Sequence, residues 1–226
     1  MTMVPISIIT EAVLEVAAHL PIRVHNLGNW RRKQECELWR ELVGAILGSA
    51  VAYEDAVLAL SILDVNGLIA PSCKLGEQQG EIERFLRLAG YRFPALRSRQ
   101  IAQSAAIIYG RSTLKDILQS YGDGFTARRG LVDLCPGFGP KQASLFLRNV
   151  GYHDLAILDR HVLSYLQYRS LVTDRNVAVS SVKRYEIVEQ IVFKAAADLG
   201  LTVIGFDLAV WITVRTAIGA SRQWDS

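Results

Sequence analysis

Apolar residues return along this chain at the spacing of a helix face. Ile9, Ala12, Val13, Val16, Ala17 and Leu20 form one stripe, and Trp39, Leu42, Val43, Ile46 and Leu47 a second. Ile82, Phe85, Leu86 and Ala89 make a third, and Val188, Ile191, Val192, Ala195 and Leu199 a fourth. No run alternates apolar and polar positions for long, as a half-buried strand would. Glycines and prolines break the stripes at intervals of roughly 10 to 20 residues, the length of ordinary globular helices. The pattern predicts an all-α protein. Loops are expected at Pro21–Asn29, Gly67–Gly80, Gly90–Pro94, Tyr121–Gly124, Gly151–Leu158 and Leu171–Asn176. None has the composition of an interdomain linker, so residues 1–226 are expected to form a single domain of two helical lobes packed together.

Composition narrows the class. The chain has 226 residues, 50% of them hydrophobic, enough for a sizeable core, and disorder is excluded. The longest uncharged stretch, Leu42–Tyr53, falls well short of the roughly 20 residues needed to cross a bilayer, and Asp207 interrupts the apolar C-terminal run, so no membrane partner is expected. No basic and apolar secretory leader opens the chain. Cys36, Cys73 and Cys135 cannot all pair with one another and do not cluster as zinc or iron–sulfur ligands. These features point to a soluble protein of a reducing compartment, cytoplasmic (nucleoid-associated) or nuclear, with no metal held by side chains. The net charge of +3 permits a nucleic-acid partner without requiring one, because binding needs a local basic face.

The stretch Leu131–Leu163, LVDLCPGFGPKQASLFLRNVGYHDLAILDRHVL, carries the candidate chemistry. Pro136-Gly137-Phe138-Gly139 reads as a sharp turn that lets a ligand approach the backbone, and Pro140 suits the first turn of a helix. Ala143, Phe146, Leu147 and Val150 then give that helix a buried face. Lys141 falls in its first turn on another face, one turn below Leu145. A helix N-terminus offers backbone N–H groups to a phosphate, and the same field, with partial burial, lowers an ammonium pKa. A cation is electrostatically misplaced there. The residues alone leave two roles open for Lys141: a phosphate contact or a nucleophile. Asp159 stands 18 residues further on, directly before Arg160-His161-Val162-Leu163, where a new helix begins. Its ordinary role is an N-cap, yet a capping carboxylate can also serve catalysis, because its charge sits at an element end facing whatever the hairpin binds.

GFGPKQASLFLRNVG followed by AILDRHVL resembles the helix-hairpin-helix DNA glycosylases, and among them the compact archaeal-type 8-oxoguanine glycosylases, the second group of that activity. GYRF at Gly90–Phe93 and FDLAVW at Phe206–Trp211 are similar to pieces of the same group. The resemblance implies the HhH-GPD glycosylase fold, two helical lobes with the hairpin motif, about residues 131–150, at the cleft between them. It implies a bifunctional glycosylase and AP lyase of base excision repair that removes an oxidised base, 8-oxoguanine foremost, from double-stranded DNA as a monomer. Lys141 matches the lysine nucleophile of that family and Asp159 its essential aspartate. Gly137, Gly139, Lys141 and Arg148 would contact DNA, and Leu145, Asp207 and Trp211 would line the base pocket. The backbone carbonyls of Asp133, Cys135 and Phe138 would hold a structural monovalent or divalent cation, and catalysis would need no cofactor.

Several of these positions have an ordinary reading as well. Trp211 lies on an apolar stripe with Leu208 and Ile212, Asp207 can cap or pair within its helix, a lone Arg148 is usually solvated, and His161 supports structure. Where relatives carry polar residues to fill the gap left by a flipped base, this chain has Ala50-Val51-Ala52, and it extends beyond the family's short C-terminus with Ala217–Ser226. The alternatives are a glycosylase for another damaged or modified base, and a non-catalytic hairpin protein that binds DNA through phosphates. Asp159 separates them, since a carboxylate facing the backbone of DNA would repel it.

Overall fold

The computed structural model describes residues 6–21, 29–172, 179 and 181–224. Among these the long elements are helices and no strand occurs: α1 (Ile6–Ala18), α2 (Glu35–Leu47), α3 (Tyr53–Val65), α4 (Gln79–Leu88), α5 (Pro94–Tyr109), α6 (Leu114–Gln119), α7 (Gly124–Leu134), α8 (Pro140–Asn149), α9 (Arg160–Tyr168), α10 (Val182–Asp198) and α11 (Val203–Trp224). Short 3₁₀ turns occupy Trp30–Arg32 and Cys73–Gln78, the latter inside the expected loop Gly67–Gly80. Most of the expected loops Pro21–Asn29 and Leu171–Asn176 lie outside the described residues. The chain divides into two compact units, Gly28–Tyr152 on one hand and Met1–Leu27 with His153–Ser226 on the other. No single described helix is long and apolar enough to cross a membrane.

In the Gly28–Tyr152 unit α2 is the central helix, packing against α3, α5, α6 and α8. Its stripe is wide because it serves several neighbours: Leu38, Trp39, Leu42, Val43, Ala45, Ile46 and Leu47 are all buried. Gly44 admits α3, for a β-carbon there would lie 3.2 Å from Leu60 Cδ2. The Trp39 ring meets Tyr109 of α5 edge to face at 5.4 Å. Glu35 in the first turn of α2 accepts from the Leu114 and Lys115 amides at 2.6 and 3.2 Å, so one helix caps the start of another. Together with the local capping box of Thr113 and Asp116, that bond pair supports α6, whose six residues are too few to be stable by propensity.

In the other unit α11 packs against α1, α9 and α10. Val162, Tyr165, Leu166, Tyr185, Phe206 and Val210 share its core, with the Tyr165 and Phe206 rings edge to face at 5.7 Å. Burying a large apolar side chain contributes about 1.5–3 kcal/mol, so this cluster can support the irregular segment that runs from His153 to Asp159.

The three cysteines are free, Cys36 and Cys73 exposed and Cys135 buried at the end of α7. Burial pushes the Cys135 thiol up to about 12, and only thiolate reacts with alkylating reagents. Iodoacetamide at about pH 8 is therefore expected to modify Cys36 and Cys73 in the folded protein and Cys135 only after unfolding. Mass spectrometry checks this, and native alkylation of Cys135 at the rate of Cys36 would contradict the burial.

Candidate active site

α7 and α8 form the helical pair that the sequence predicted, packed against each other and joined by Cys135–Gly139. Arg128, fully buried in α7, donates to Ser144 Oγ of α8 at 3.2 Å and ties the pair together. Gly137 has φ +72, a left-handed conformation, and a β-carbon there would collide with the Gln100 amide. Glycine is favoured on both counts. Phe138 N–H then closes the turn on Cys135 C=O at 3.0 Å.

α8 begins as expected, with Pro140 at its first position and Ala143, Phe146, Leu147 and Val150 buried. Lys141 occupies the first turn and is half-buried, as is Leu145 one turn on. Ala143 N–H is the first amide to reach back into the helix, to Gly139 C=O at 3.0 Å. Amides ahead of it face out of the helix end, the geometry that binds anions. One of the hairpin amides is engaged: Gly139 N–H donates to Gln142 Oε1 at 3.2 Å.

Gln142 also reaches away from the helix. Its Nε2 donates to Ser49 Oγ at 2.6 Å, while Ser49 C=O accepts from Arg97 at 2.9 Å. The same buried guanidinium donates to Gln100 Oε1 at 2.6 Å, and Gln100 is the residue pressed against Gly137. Tyr91, whose phenol burial pushes up and keeps as a neutral donor, bonds Leu47 C=O at 2.5 Å. The loop after α2 and the hairpin turn are thus parts of one polar network. Ser49, Arg97 and Gln100 escaped the sequence reading. Gln142 carried a signal, since a glutamine three residues after an N-cap has capping-box spacing.

In the other unit Asp159 is the N-cap of α9. Its Oδ1 accepts from both His161 N–H and Val162 N–H at 2.9 Å. One oxygen makes both bonds, which leaves Oδ2 outside the cap. His161 is buried, and its ring meets Trp211 edge to face at 6.4 Å. Arg215 stacks over the half-buried Trp211 ring at 4.7 Å, so that face already holds a cation. Asp207 is 2% exposed, and its Oδ2 accepts from Ile157 N–H at 2.9 Å. Arg148, a DNA contact by the resemblance and a solvated residue by its ordinary reading, is 7% exposed in α8, so the solvated reading is corrected.

No three His, Cys, Asp or Glu side chains cluster to hold a metal among the described residues. Backbone oxygen at the end of α7 is of a kind that suits a hard cation, because last-turn carbonyls lack intrahelical partners and form the negative helix end. Cys135 C=O, with one lone pair used by Phe138 N–H, keeps another.

An all-helical chain with a glycine turn leading into a helix whose first turn carries a lysine is the architecture of a helix-hairpin-helix protein. Comparison with known proteins makes this specific. The family model for 8-oxoguanine DNA glycosylase matches residues 22–201, and the chain belongs to that family. An 8-oxoguanine DNA glycosylase/AP lyase of Sulfurisphaera tokodaii is 36% identical over 189 residues, covering 83% of this chain and 86% of the relative. Among solved structures, the 8-oxoguanine DNA glycosylase of Thermotoga maritima superposes with a TM-score of 0.75 at 29% identity, over 91% of this chain and 93% of that one. The Methanocaldococcus jannaschii 8-oxoguanine glycosylase/lyase, solved in complex with a 15-mer DNA containing 8-oxoguanine, gives 0.68 at 26% identity, over 91% and 88% of the two chains. These structures carry the HhH-GPD fold to this chain.

Gly137→Ala is expected to lower stability by about 1–3 kcal/mol, through the left-handed backbone and displacement of Gln100. Urea unfolding measures it, and a loss below about 0.5 kcal/mol, the range of an inert surface substitution, would mean the turn is not held as described.

Proposed function

We propose that this chain is a bifunctional DNA glycosylase and AP lyase that excises 8-oxoguanine from double-stranded DNA in base excision repair, with Lys141 as nucleophile and Asp159 as its carboxylate partner. The observation that carries the reading is Lys141 in the first turn of α8, directly behind the Gly137 turn, in a chain of this family.

The helix end and the hairpin amides engage phosphate beside the lesion. The damaged nucleotide leaves the stack, at a cost of a few kcal/mol. The neutral Lys141 amine attacks C1′, a bond forms from Nζ to C1′, and the base departs with the glycosidic electron pair. Opening of the sugar ring gives the Schiff base. Loss of a C2′ proton then expels the 3′ phosphate, so a single amine accounts for base release and strand nicking. Positive charge builds on the sugar as the glycosidic bond breaks. A carboxylate about 4 Å from that charge contributes on the order of 4 kcal/mol at an effective dielectric near 20, and Asp159 has Oδ2 outside its cap for the purpose.

Leu145 and Trp211 remain candidates for the base pocket, Trp211 once Arg215 yields its ring face. A cation on the carbonyls of Asp133, Cys135 and Phe138 would hold the turn and add to its attraction for phosphate. The protein acts as a monomeric domain in a reducing compartment that contains DNA.

Borohydride is expected to trap wild-type protein on a duplex with one 8-oxoguanine, and Lys141→Gln to abolish trapping while DNA affinity changes little. Trapping undiminished in that variant would place the nucleophile elsewhere. Asp159→Asn keeps a capping oxygen, and asparagine caps about as well as aspartate. The thermal midpoint should therefore stay while excision slows by about a thousandfold. A collapsed midpoint with normal activity per folded molecule would leave Asp159 a cap and nothing more.

A further inference from the structure

Residues His153–Asp159 form neither helix nor strand, yet every backbone N–H from Ala156 to Asp159 is bonded. Ala156 N–H donates to Glu189 Oε1 at 2.9 Å. Ile157 N–H donates to Asp207 Oδ2 at 2.9 Å. Leu158 N–H donates to the Tyr185 hydroxyl at 2.9 Å, and that hydroxyl in turn donates to Ala156 C=O at 2.8 Å. Asp159 N–H closes a tight turn on Ile157 C=O at 3.0 Å. Three side chains therefore do for this segment what a neighbouring strand would do.

The choice of side chains is informative. Glu189 and Tyr185 are 0% exposed and Asp207 is 2% exposed. A buried carboxylate carries a desolvation penalty of several kcal/mol unless it is bonded, and two are placed on two adjacent amides of one loop. Hydrogen bonds to a charged acceptor are shorter and about twice as strong as neutral ones. Tyr185 and Glu189 stand one turn apart on α10, an element whose apolar face fixes them. Asp207 comes from α11, so the segment is clamped from two helices. Beyond the segment, α9 fixes Asp159 from the other side through its cap and through Leu163 N–H on Asp159 C=O at 2.9 Å.

We propose that Tyr185, Glu189 and Asp207 are positioning residues of Asp159: by holding the three successive amides before it they set where its carboxylate stands relative to the developing charge. The proposal rests on Asp159 as the catalytic carboxylate. It assigns Asp207 to the backbone behind that carboxylate and not to the edge of the base. The bonds to residues 156–158 carry their effect to Asp159 through the backbone.

Tyr185→Phe tests it, since the ring keeps its packing while the hydroxyl bonds to Leu158 N–H and Ala156 C=O go. Single-turnover excision of 8-oxoguanine from duplex DNA is expected to slow by about tenfold to hundredfold, the penalty of a small displacement of a catalytic group, with DNA affinity within about threefold of wild type. Asp207→Asn, which weakens one bond by removing its charge, is the second variant and should slow excision by less than Tyr185→Phe. Both are combined with Asp159→Asn in a double-mutant cycle. A positioning role predicts that each variant loses nearly all its effect once Asp159 is Asn. Amide exchange at Leu158 should also accelerate in Tyr185→Phe while exchange in α8 does not.

An unchanged rate per folded molecule in both variants overturns the proposal. So does the same fold loss with Asp and with Asn at 159, which would mark a general loosening of the unit. Wild-type excision by Asp159→Asn alone overturns the reading of Asp159 itself, and the proposal with it, and is told apart from the other failures by that single variant.

Discussion

Gly137 holds its backbone at φ +72 with the Gln100 amide pressed against its α-carbon, and the place of Lys141 depends on that close approach. A turn this tight ends α7 and starts α8 within five residues, Cys135 to Gly139. It therefore sets the direction in which the first turn of α8 presents its amides and its lysine. Any residue with a β-carbon would push Gln100 away, release Arg97, and loosen the bond from Arg97 to Ser49 C=O. The turn, the helix start and the loop after α2 move together or not at all, because interiors this well packed have discrete arrangements rather than graded ones.

Both units solve one problem in the same way. Backbone outside regular structure must have its polar groups satisfied when buried, and in each unit long polar side chains from neighbouring helices do so. Arg97 satisfies the Ser49 carbonyl in one unit, with Gln142 on the Ser49 hydroxyl beside it; Glu189, Tyr185 and Asp207 satisfy the amides of residues 156–158 in the other. In both, the held segment stands next to a candidate catalytic residue, Lys141 or Asp159. Such networks confer little net stability, since burying charge offsets much of the gain. What they confer is a single geometry, and general positioning within about half an ångström is what transition-state stabilisation demands.

How much of this was legible follows from range along the chain. α8 could be read because Ala143, Phe146, Leu147 and Val150 declare its face locally and Pro140 declares its start. The cap at Asp159 could be read for the same reason, as could the glycine turn. α6 declares only a local capping box, Thr113 with Asp116, on six residues, and the Glu35 carboxylate that holds its first two amides stands some 80 residues earlier. The burial of Arg148 could not be read, because periodicity says which side of a helix a residue occupies but not what covers that side. Asp207 looked like a group aimed at a ligand, and only folding brings it to Ile157, 50 residues away. A glutamate within the apolar stripe of α10 was the one local sign of the second network: Glu189 stands between Val188 and Val192, where an unpaired charge would be expelled.

The loop after α2 shows what such bracing permits. Ala50 has φ +61, a conformation that costs a residue with a β-carbon about 1–2 kcal/mol. Strain of that size persists where neighbours over-determine the backbone, and here Ser49 is held through its carbonyl and its hydroxyl, with Leu47 C=O bound by Tyr91. The outcome is a loop fixed in shape that offers, from Ala50 through Ala52, no side-chain donor or acceptor. Reading a base edge takes donors and acceptors matched to it. A rigid apolar loop can wedge and stack but cannot choose among four bases by hydrogen bonding. Tyr53, 64% exposed at the start of α3, carries the first polar side-chain group beyond the loop. The same bonds that keep Ala50 in place connect Ser49 to Gln142, the residue after Lys141, so a displacement of this loop reaches the first turn of α8.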